Sequence, residues 1–210
     1  GPALRADLGL PEEGLVFCCF NQTYKIEAAM FSRWMAVLEA LPGSSLWLLD
    51  GGPGCRDSLG AAARAAGIDP GRLLFAPRIA QAAHLSRLAV ADLAFDTFPC
   101  NGHTTTSDAL WAGVPVLTLA GRHFASRVSE SLLRALEMPE LVAADLDAYG
   151  KLAISLAEDG ERLAAVRAKL AAKRRTAPLF DTPRFARNLE ALYRQAWQRQ
   201  LDGQPPAPLN

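Results

Sequence analysis

A glycine followed by hydroxyl side chains stands in residues 97–108, which read TFPCNGHTTTSD. Gly102 and His103 come first, and Thr104 and Thr105 follow at the predicted start of a helix. The first turn of a helix has unpaired backbone N–H groups and the positive end of the helix dipole, so it attracts anions. Threonine hydroxyls would add donors. The segment therefore predicts a binding site for a diphosphate. The alternative is that Thr104 or Thr105 only caps the helix.

Two more side chains lie close to this predicted binding site. Asp108 lies one helical turn beyond Thr104 on the same face, so its carboxylate is placed to receive the hydroxyls of a ribose. The alternative is an acidic residue that is simply favoured in a first helical turn. The ring N–H of His103 suits a phosphate or sugar oxygen, or a structural hydrogen bond. The cluster as a whole favours the ligand interpretation.

Loops after two other predicted strands contribute further polar groups. Residues 21–25 read NQTYK and bring the ammonium of Lys25 to a strand end, where it would neutralise a diphosphate or be an ordinary solvated lysine. His84 and Arg87 are three residues apart on a predicted helix, so they share a face and suit stacking on, and hydrogen bonding to, a base. An exposed polar helix face is the alternative for this pair.

Several familiar motifs are absent from the sequence. GxGxxG does not follow the first strand, and neither GxxxxGK[ST], HExxH nor GxSxG occurs. We therefore expect no NAD site, no Walker-type ATP site, no metal, no other cofactor and no serine triad. The basic residues of the segment 162–175 lie on helices without interleaved aromatic residues, which favours a solvated face over nucleic-acid binding.

The strands and helices that must position these loops are indicated by the pattern of apolar residues, which alternates between strand-like runs and helical spacing. Apolar runs of strand length cover residues 15–20, 45–50, 73–75, 93–96 and 114–119. Segments of helical period separate them, which predicts an α/β fold with a parallel sheet and helices on both faces. Ligands of such sheets bind outside the carboxyl ends of the strands, where the loops above lie. Beyond residue 119 the chain is predicted to be mostly helical, and an amphipathic helix with Thr182 as its N-cap comes last.

Composition limits the class of protein. The 210 residues are half hydrophobic, and 22 Lys and Arg balance 22 Asp and Glu. This predicts one globular domain over residues 1–202 with a flexible tail at 203–210, and no chain-wide field for nucleic acid or an anionic membrane. No apolar run reaches the roughly 18 residues of a membrane span. Without a signal peptide or CxxC spacing, we expect a cytoplasmic protein with reduced thiols.

Four segments carry a resemblance to a known family. They read FNQTYKI at 20–26, LWLL at 46–49, DTFPCNGHTT at 96–105 and DALWAGVPV at 108–116. Together they resemble the C-terminal catalytic lobe of protein O-GlcNAc transferases, glycosyltransferase family 41, and specifically a bacterial homologue. The similarity extends from about residue 8 to residue 197, which is nearly the whole chain.

The resemblance implies a function. It implies the donor-binding lobe of an inverting, metal-independent GT-B glycosyltransferase that moves N-acetylglucosamine from UDP-GlcNAc to Ser/Thr hydroxyls of acceptor proteins. The N-terminal lobe and TPR repeats of the same protein would be partners, and this chain alone would transfer little. Two alternatives stay open: a GT-B transferase for another UDP-sugar such as UDP-glucose, and a non-catalytic nucleotide-binding or scaffolding module.

The resemblance also implies roles for single residues. Gln22 and Lys25 would contact the diphosphate, with Lys25 stabilising the leaving charge. Gln81 stands where the animal members have a lysine, which implies a weaker ribose or phosphate contact. The remaining assignments are His103, Thr104 and Thr105 beside Gly102 to phosphate and sugar oxygens, Asp108 to the ribose, His84 to stacking on uracil, Arg87 and the backbone near Ile79 to the uracil edge, and Cys100 to the acetamido pocket.

Overall fold

The computed structural model describes residues 3–209 and contains a six-stranded sheet whose paired strands are all parallel. Its strands are β1 (Val16–Cys19), β2 (Ser45–Leu49), β3 (Leu73–Ala76), β4 (Leu93–Phe95), β5 (Val116–Leu119) and β6 (Val142–Ala143). They lie in the order β3-β2-β1-β4-β5-β6, which is the order of the Rossmann fold. The predicted α/β fold with a parallel sheet is confirmed.

Eight α-helices accompany the sheet within the described residues. They are α1 (Ala28–Ala40), α2 (Pro53–Ala65), α3 (Gln81–Leu88), α4 (Thr104–Ala112), α5 (Val128–Ala135), α6 (Leu146–Glu158), α7 (Gly160–Thr176) and α8 (Thr182–Leu201). The first five connect consecutive strands, as a parallel sheet requires. All eight lie in segments that the sequence predicts to be helical.

Two local predictions were wrong. The two-residue strand β6 was not predicted, because two residues are too few to show a period, and it forms only by pairing with β5. The N-cap of α8 is Asp181 and not Thr182, because the Asp181 side chain accepts a hydrogen bond from the Arg184 N–H at 2.9 Å. Both residue types suit a cap, so sequence alone does not choose between them.

The centre of the core lies between β1, β4 and α1. The Phe17 ring stacks on Phe95 with 4.6 Å between ring centroids, and Trp34 of α1 lies 5.9 Å from the same Phe95 ring. Complete burial of a ring such as Phe17 stabilises a fold by about 1.5–3 kcal/mol. Burial also raises the pKa of the Cys19 thiol to about 12, so this cysteine is an inert core residue and not a nucleophile.

The strand order places a crevice beside β1 and β4. The chain leaves β1 toward β2 on one side and leaves β4 toward β5 on the other, so the two following loops diverge. Such a switch point is where open α/β sheets bind ligands. The loop after β1 carries Lys25 and the loop after β4 carries Gly102, so the fold brings together the two segments that the sequence singled out.

The predicted domain 1–202 and tail 203–210 include positions 1, 2 and 210, which lie outside the described residues. Residues 204–209 contain no helix or strand. The division into domain and tail stays a prediction. None of the helices between residues 3 and 209 combines the length and the apolar character that crossing a bilayer demands.

Candidate functional site

A cleft of about 260 Å³ opens at the crevice beside β1 and β4. It brings together six of the predicted site residues, namely Gln22, Ile79, His84, Arg87, Thr105 and Asp108. Phe20, Leu49, Arg78 and Gln81 complete its lining. Side chains from the loop after β1, from the segment that enters α3 and from α4 therefore share one space.

One wall of the cleft is built around Arg87. This arginine is only 4% exposed, its Nη1 donates to the Pro77 carbonyl at 2.7 Å, and its guanidinium lies over the Phe20 ring at 4.7 Å. Its Nε donates to Nδ1 of His84 at 3.0 Å. The alternative of an exposed polar helix face is therefore wrong for Arg87, which anchors the wall and orients His84.

His84 is held in one tautomer by this contact. Because its Nδ1 accepts a hydrogen bond, the ring proton lies on Nε2. Burial, and then the neighbouring Arg87 charge, lower the pKa of His84, although Asp108 acts in the opposite direction. The ring also meets Phe20 edge to face, with 4.9 Å between ring centroids. His84 is therefore a fixed, neutral ring that offers one N–H donor.

The mouth of α4 lies beside this wall. His103 is the N-cap and makes no side-chain cap bond, so the interpretation of Thr104 or Thr105 as a simple cap is wrong. Between residues 3 and 209, no acceptor is hydrogen-bonded to the backbone N–H groups of Thr104, Thr105 and Thr106. These three donors are therefore free for an anion.

Lys25, which is not part of the lining of the cleft, approaches this mouth from the loop after β1. It ends a short 3₁₀ turn (Thr23–Lys25), and its Nζ donates to the Asn101 carbonyl at 2.9 Å. No carboxylate among residues 3–209 forms an ion pair with it. One donor of the ammonium is used and two remain, so Lys25 places a positive charge at Asn101, three residues before the start of α4.

The sequence of the chain matches the pattern of glycosyl transferase family 41 over residues 3–189. The chain belongs to this family. It is 39% identical over 203 residues to a probable UDP-N-acetylglucosamine–peptide N-acetylglucosaminyltransferase of Arabidopsis thaliana, and 39% identical over 201 residues to the corresponding enzyme of Caenorhabditis elegans. Each match covers 96% of this chain but only 21% and 18% of these relatives, so the chain spans about a fifth of their length.

A solved structure agrees with this membership. A mutant of the O-GlcNAc transferase from Thermobaculum terrenum superposes with a TM-score of 0.83 at 34% sequence identity. The superposition covers 88% of this chain and 36% of that one. The resemblance to protein O-GlcNAc transferases, and to a bacterial one, is confirmed, and with it the GT-B lobe fold.

Some predicted site residues of this family 41 chain lie beside the cleft and not in its lining. The half-buried Cys100 offers its carbonyl to the Thr97 hydroxyl at 2.6 Å, and the exposed His103 ring meets Phe124 edge to face at 5.8 Å. The N–H of Gly102 donates to Asp96 at 2.6 Å, so it is not available to a phosphate. The roles assigned to these residues, and to Thr104 at the mouth, stay predictions.

Gln81, for which the resemblance implied a weakened ligand contact, makes a contact of its own here. Gln81 Nε2 donates to Asp108 Oδ1 at 2.9 Å and so bridges α3 and α4 across the cleft. Because the Gln81 amide is neutral, it does not cancel the negative charge of a carboxylate. The second carboxylate oxygen of Asp108, Oδ2, remains for a ligand hydroxyl. The predicted weakening of donor binding by Gln81 stays a prediction.

Sequence reasoning missed a buried carboxylate behind the site. Asp96 is 2% exposed, and its Oδ1 accepts from the Asn21 amide at 3.1 Å and from the Thr97 N–H at 2.9 Å, besides Gly102. Its Oδ2 accepts from the Thr118 hydroxyl at 2.6 Å. Burial raises the pKa of Asp96, whereas the hydrogen bonds from Gly102, Thr118 and Thr97 lower it. A signal existed: Asn21 and Asp96 are polar residues that directly follow two adjacent apolar strands.

No three His, Cys, Asp or Glu side chains come together as a metal site within residues 3–209. The acidic residue of the cleft, Asp108, has Gln81 and not another carboxylate as its partner. The positive charge at the α4 mouth comes from Lys25 and the helix dipole.

We expect the ring of His84 to titrate below about pH 6.5, the ordinary value for histidine. Its folded pKa is lowered, so its contribution to stability is complete above the unfolded pKa and is lost as the pH falls through the folded pKa. Nuclear magnetic resonance of the ring C–H signals measures the midpoint, and Arg87→Met should raise it by removing a positive charge. A wild-type midpoint at or above that of a free histidine peptide would contradict the burial of the ring and its closeness to the Arg87 charge.

Proposed function

We propose that this chain binds UDP-GlcNAc for a protein O-linked N-acetylglucosaminyltransferase and stabilises UDP as the leaving group. The observation that carries the proposal is the ammonium of Lys25, which has no carboxylate partner within the described part of the chain and donates at 2.9 Å to the Asn101 carbonyl, just before the free N–H groups of α4. A cation and a helix mouth in this arrangement suit a diphosphate. Membership of family 41, whose relatives are named as N-acetylglucosaminyltransferases, supports the choice of sugar.

The proposed chemistry depends on where negative charge develops. As the bond between the anomeric carbon and the phosphate oxygen breaks, the departing diphosphate gains charge. Lys25 and the N–H groups of Thr104 and Thr105 would meet that charge without reorganising, and such preorganised donors do not require a metal ion. In this proposal His84 presents a neutral ring face and its Nε2–H to the uracil, and Asp108 receives the ribose.

The proposal also gives the chain a partner, namely the other catalytic lobe of the same protein. Helix α8 has no buried residue, and its large apolar side chains Phe185, Tyr193, Trp197 and Leu201 are between 61% and 67% exposed. A helix that exposes so much apolar surface suits an interface. Because the relatives are about five times as long, we propose that this stripe packs on the lobe that precedes it.

Calorimetric titration with UDP tests the donor site directly. We expect one UDP per chain and an unchanged dissociation constant when a divalent-metal chelator is added, because the proposed donors are all supplied by the protein. If UDP produced neither binding heat nor a shift in melting temperature, the proposal would be contradicted. Binding that disappeared when the chelator was added would also contradict it.

The same titration separates the rival donors. UDP-GlcNAc should bind more tightly than UDP-glucose, and GDP-sugars should not compete, because the uracil wall is built from fixed groups. Tighter binding of UDP-glucose would instead favour the alternative of a GT-B transferase that uses another UDP-sugar. Efficient transfer to a peptide by this chain alone would overturn its description as a partial catalytic region.

A further inference from the structure

One buried amide links the two loops that frame the proposed phosphate site. Asn21 is 4% exposed and directly follows the apolar run of β1. Its Nδ2 donates to Asp96 Oδ1 at 3.1 Å and to Thr97 Oγ1 at 2.8 Å, both in the segment after β4. Its Oδ1 accepts a hydrogen bond from the hydroxyl of Thr105, in the first turn of α4. A single side chain therefore connects β1, the segment after β4 and the mouth of α4.

The neighbours of Asn21 fix the orientation of its amide. Asp96 Oδ1 is also bound by the N–H groups of Thr97 and Gly102, which can only donate, so this oxygen is an acceptor. The hydroxyl of Thr97 gives its own proton to the Cys100 carbonyl at 2.6 Å, so it too must accept from Asn21. Both amide protons are thus used, and the amide oxygen is left for Thr105.

This orientation determines what Thr105 does. Its hydroxyl proton is directed into the protein, toward Asn21, and not into the cleft. From the sequence alone, the threonine hydroxyls are predicted to donate to a phosphate. In the structure Thr105 instead ties the first turn of α4 to the loop after β1, and the backbone N–H groups are the donors that remain for an anion.

We propose that Asn21 is a positioning residue for the nucleotide and that it acts through Thr105. It would hold the first turn of α4 at the distance from Lys25 that a diphosphate requires, without touching the ligand. The inference rests on the proposed function, because it concerns the same site. It differs from a direct role for Thr105, in which the hydroxyl itself would bind a phosphate oxygen.

A double-mutant cycle on UDP binding distinguishes the two roles. The variants are Asn21→Ala, Thr105→Val and the double variant, each titrated with UDP by calorimetry. We expect each single change to raise the dissociation constant about tenfold, the size of one lost hydrogen bond. The double variant should show the same loss of about tenfold relative to the wild type, and not a loss of about a hundredfold. Additive losses would overturn the proposal, because they would mean that Thr105 contributes to binding independently of Asn21.

Thr118→Val is the matched control. The Thr118 hydroxyl donates to Asp96 at 2.6 Å from β5, behind the site, and contacts neither Asn21 nor α4 by a hydrogen bond. This variant should melt at a lower temperature with the dissociation constant for UDP unchanged. If it weakens UDP binding as much as Asn21→Ala does, the effect of Asn21 is one of general stability and the positioning role is wrong.

Thr105→Ser covers the case in which Asn21→Ala does not fold. It keeps the hydroxyl that Asn21 binds, so UDP affinity should stay within about twofold of the wild type, whereas Thr105→Val should weaken it about tenfold. A serine variant as weak as the valine variant would overturn the inference. Wild-type protein that fails to bind UDP would instead overturn the proposed function, so the two failures are distinguishable.

Discussion

Replacing Lys25 by alanine should lower the turnover number by about 100- to 1000-fold in a protein that also contains the other lobe, the loss typical of removing one preorganised donor to a developing negative charge. The ammonium has one hydrogen bond, to the Asn101 carbonyl, and the side chain is only half-buried. The fold should therefore survive the substitution. Steady-state kinetics with UDP-GlcNAc and a peptide measure the effect, and the Michaelis constant should change less than the turnover number.

Two further variants test whether the positive charge of Lys25 causes the effect. Lys25→Arg keeps the positive charge and should recover part of the activity, less than fully because a planar guanidinium does not replace a compact ammonium. Lys151→Ala removes an exposed lysine from α6 and should change neither turnover nor stability. Wild-type turnover in Lys25→Ala would exclude leaving-group stabilisation by this residue.

Replacing Gly102 by alanine should weaken UDP binding by about 10- to 100-fold and destabilise the fold by about 1–3 kcal/mol, as overpacking does. A Cβ atom at this position would lie 2.5 Å from Thr106 Oγ1, 2.6 Å from Thr105 Oγ1 and 2.8 Å from Asn21 Oδ1. The Thr105 and Asn21 atoms hydrogen-bond to each other and hold the mouth of α4 against the loop after β1, whereas Thr106 Oγ1 hydrogen-bonds with Ser129 of α5. Calorimetry with UDP and thermal unfolding measure the two effects.

Gly160→Ala is the control for this substitution. A Cβ atom at Gly160, the first residue of α7, meets no heavy atom within 4 Å. Alanine at a compatible helical position stabilises a protein by about 0.4–1 kcal/mol, so this variant should bind UDP normally and melt no lower than the wild type. Normal UDP binding by Gly102→Ala would place the diphosphate away from this loop.

Much of the fold could be predicted because its signals are local. The apolar run around Phe17 is long enough to indicate a doubly buried strand, and Pro42-Gly43 and Gly67 end helical patterns where α1 and α2 end. The strand β6 could not be predicted in this way. Its two residues become a strand only because Thr118 and Leu119 of β5 offer free backbone partners.

The candidate site was predictable in its parts. Residues such as Lys25, His84 and Asp108 follow predicted strands or lie on the helices after them, and the carboxyl ends of parallel strands share one edge of a sheet. The burial of Arg87 was not predictable, because a polar residue on a short helix gives no sign of the Phe20 ring that covers it. Its role as the support of His84 emerged only from the packing.

The sequence by itself determined that this chain is an α/β protein of glycosyl transferase family 41, and it predicted an anion-binding helix start at residues 102–105, because strand length, helical period and motif are properties of neighbouring residues. Only the tertiary structure decided which donors remain free. The Gly102 N–H and the Thr105 hydroxyl are taken by Asp96 and Asn21, from segments at least six and as many as 84 positions away. Hydrogen-bond partners are chosen by distance in space, and a buried acceptor takes the donors that the fold brings to it.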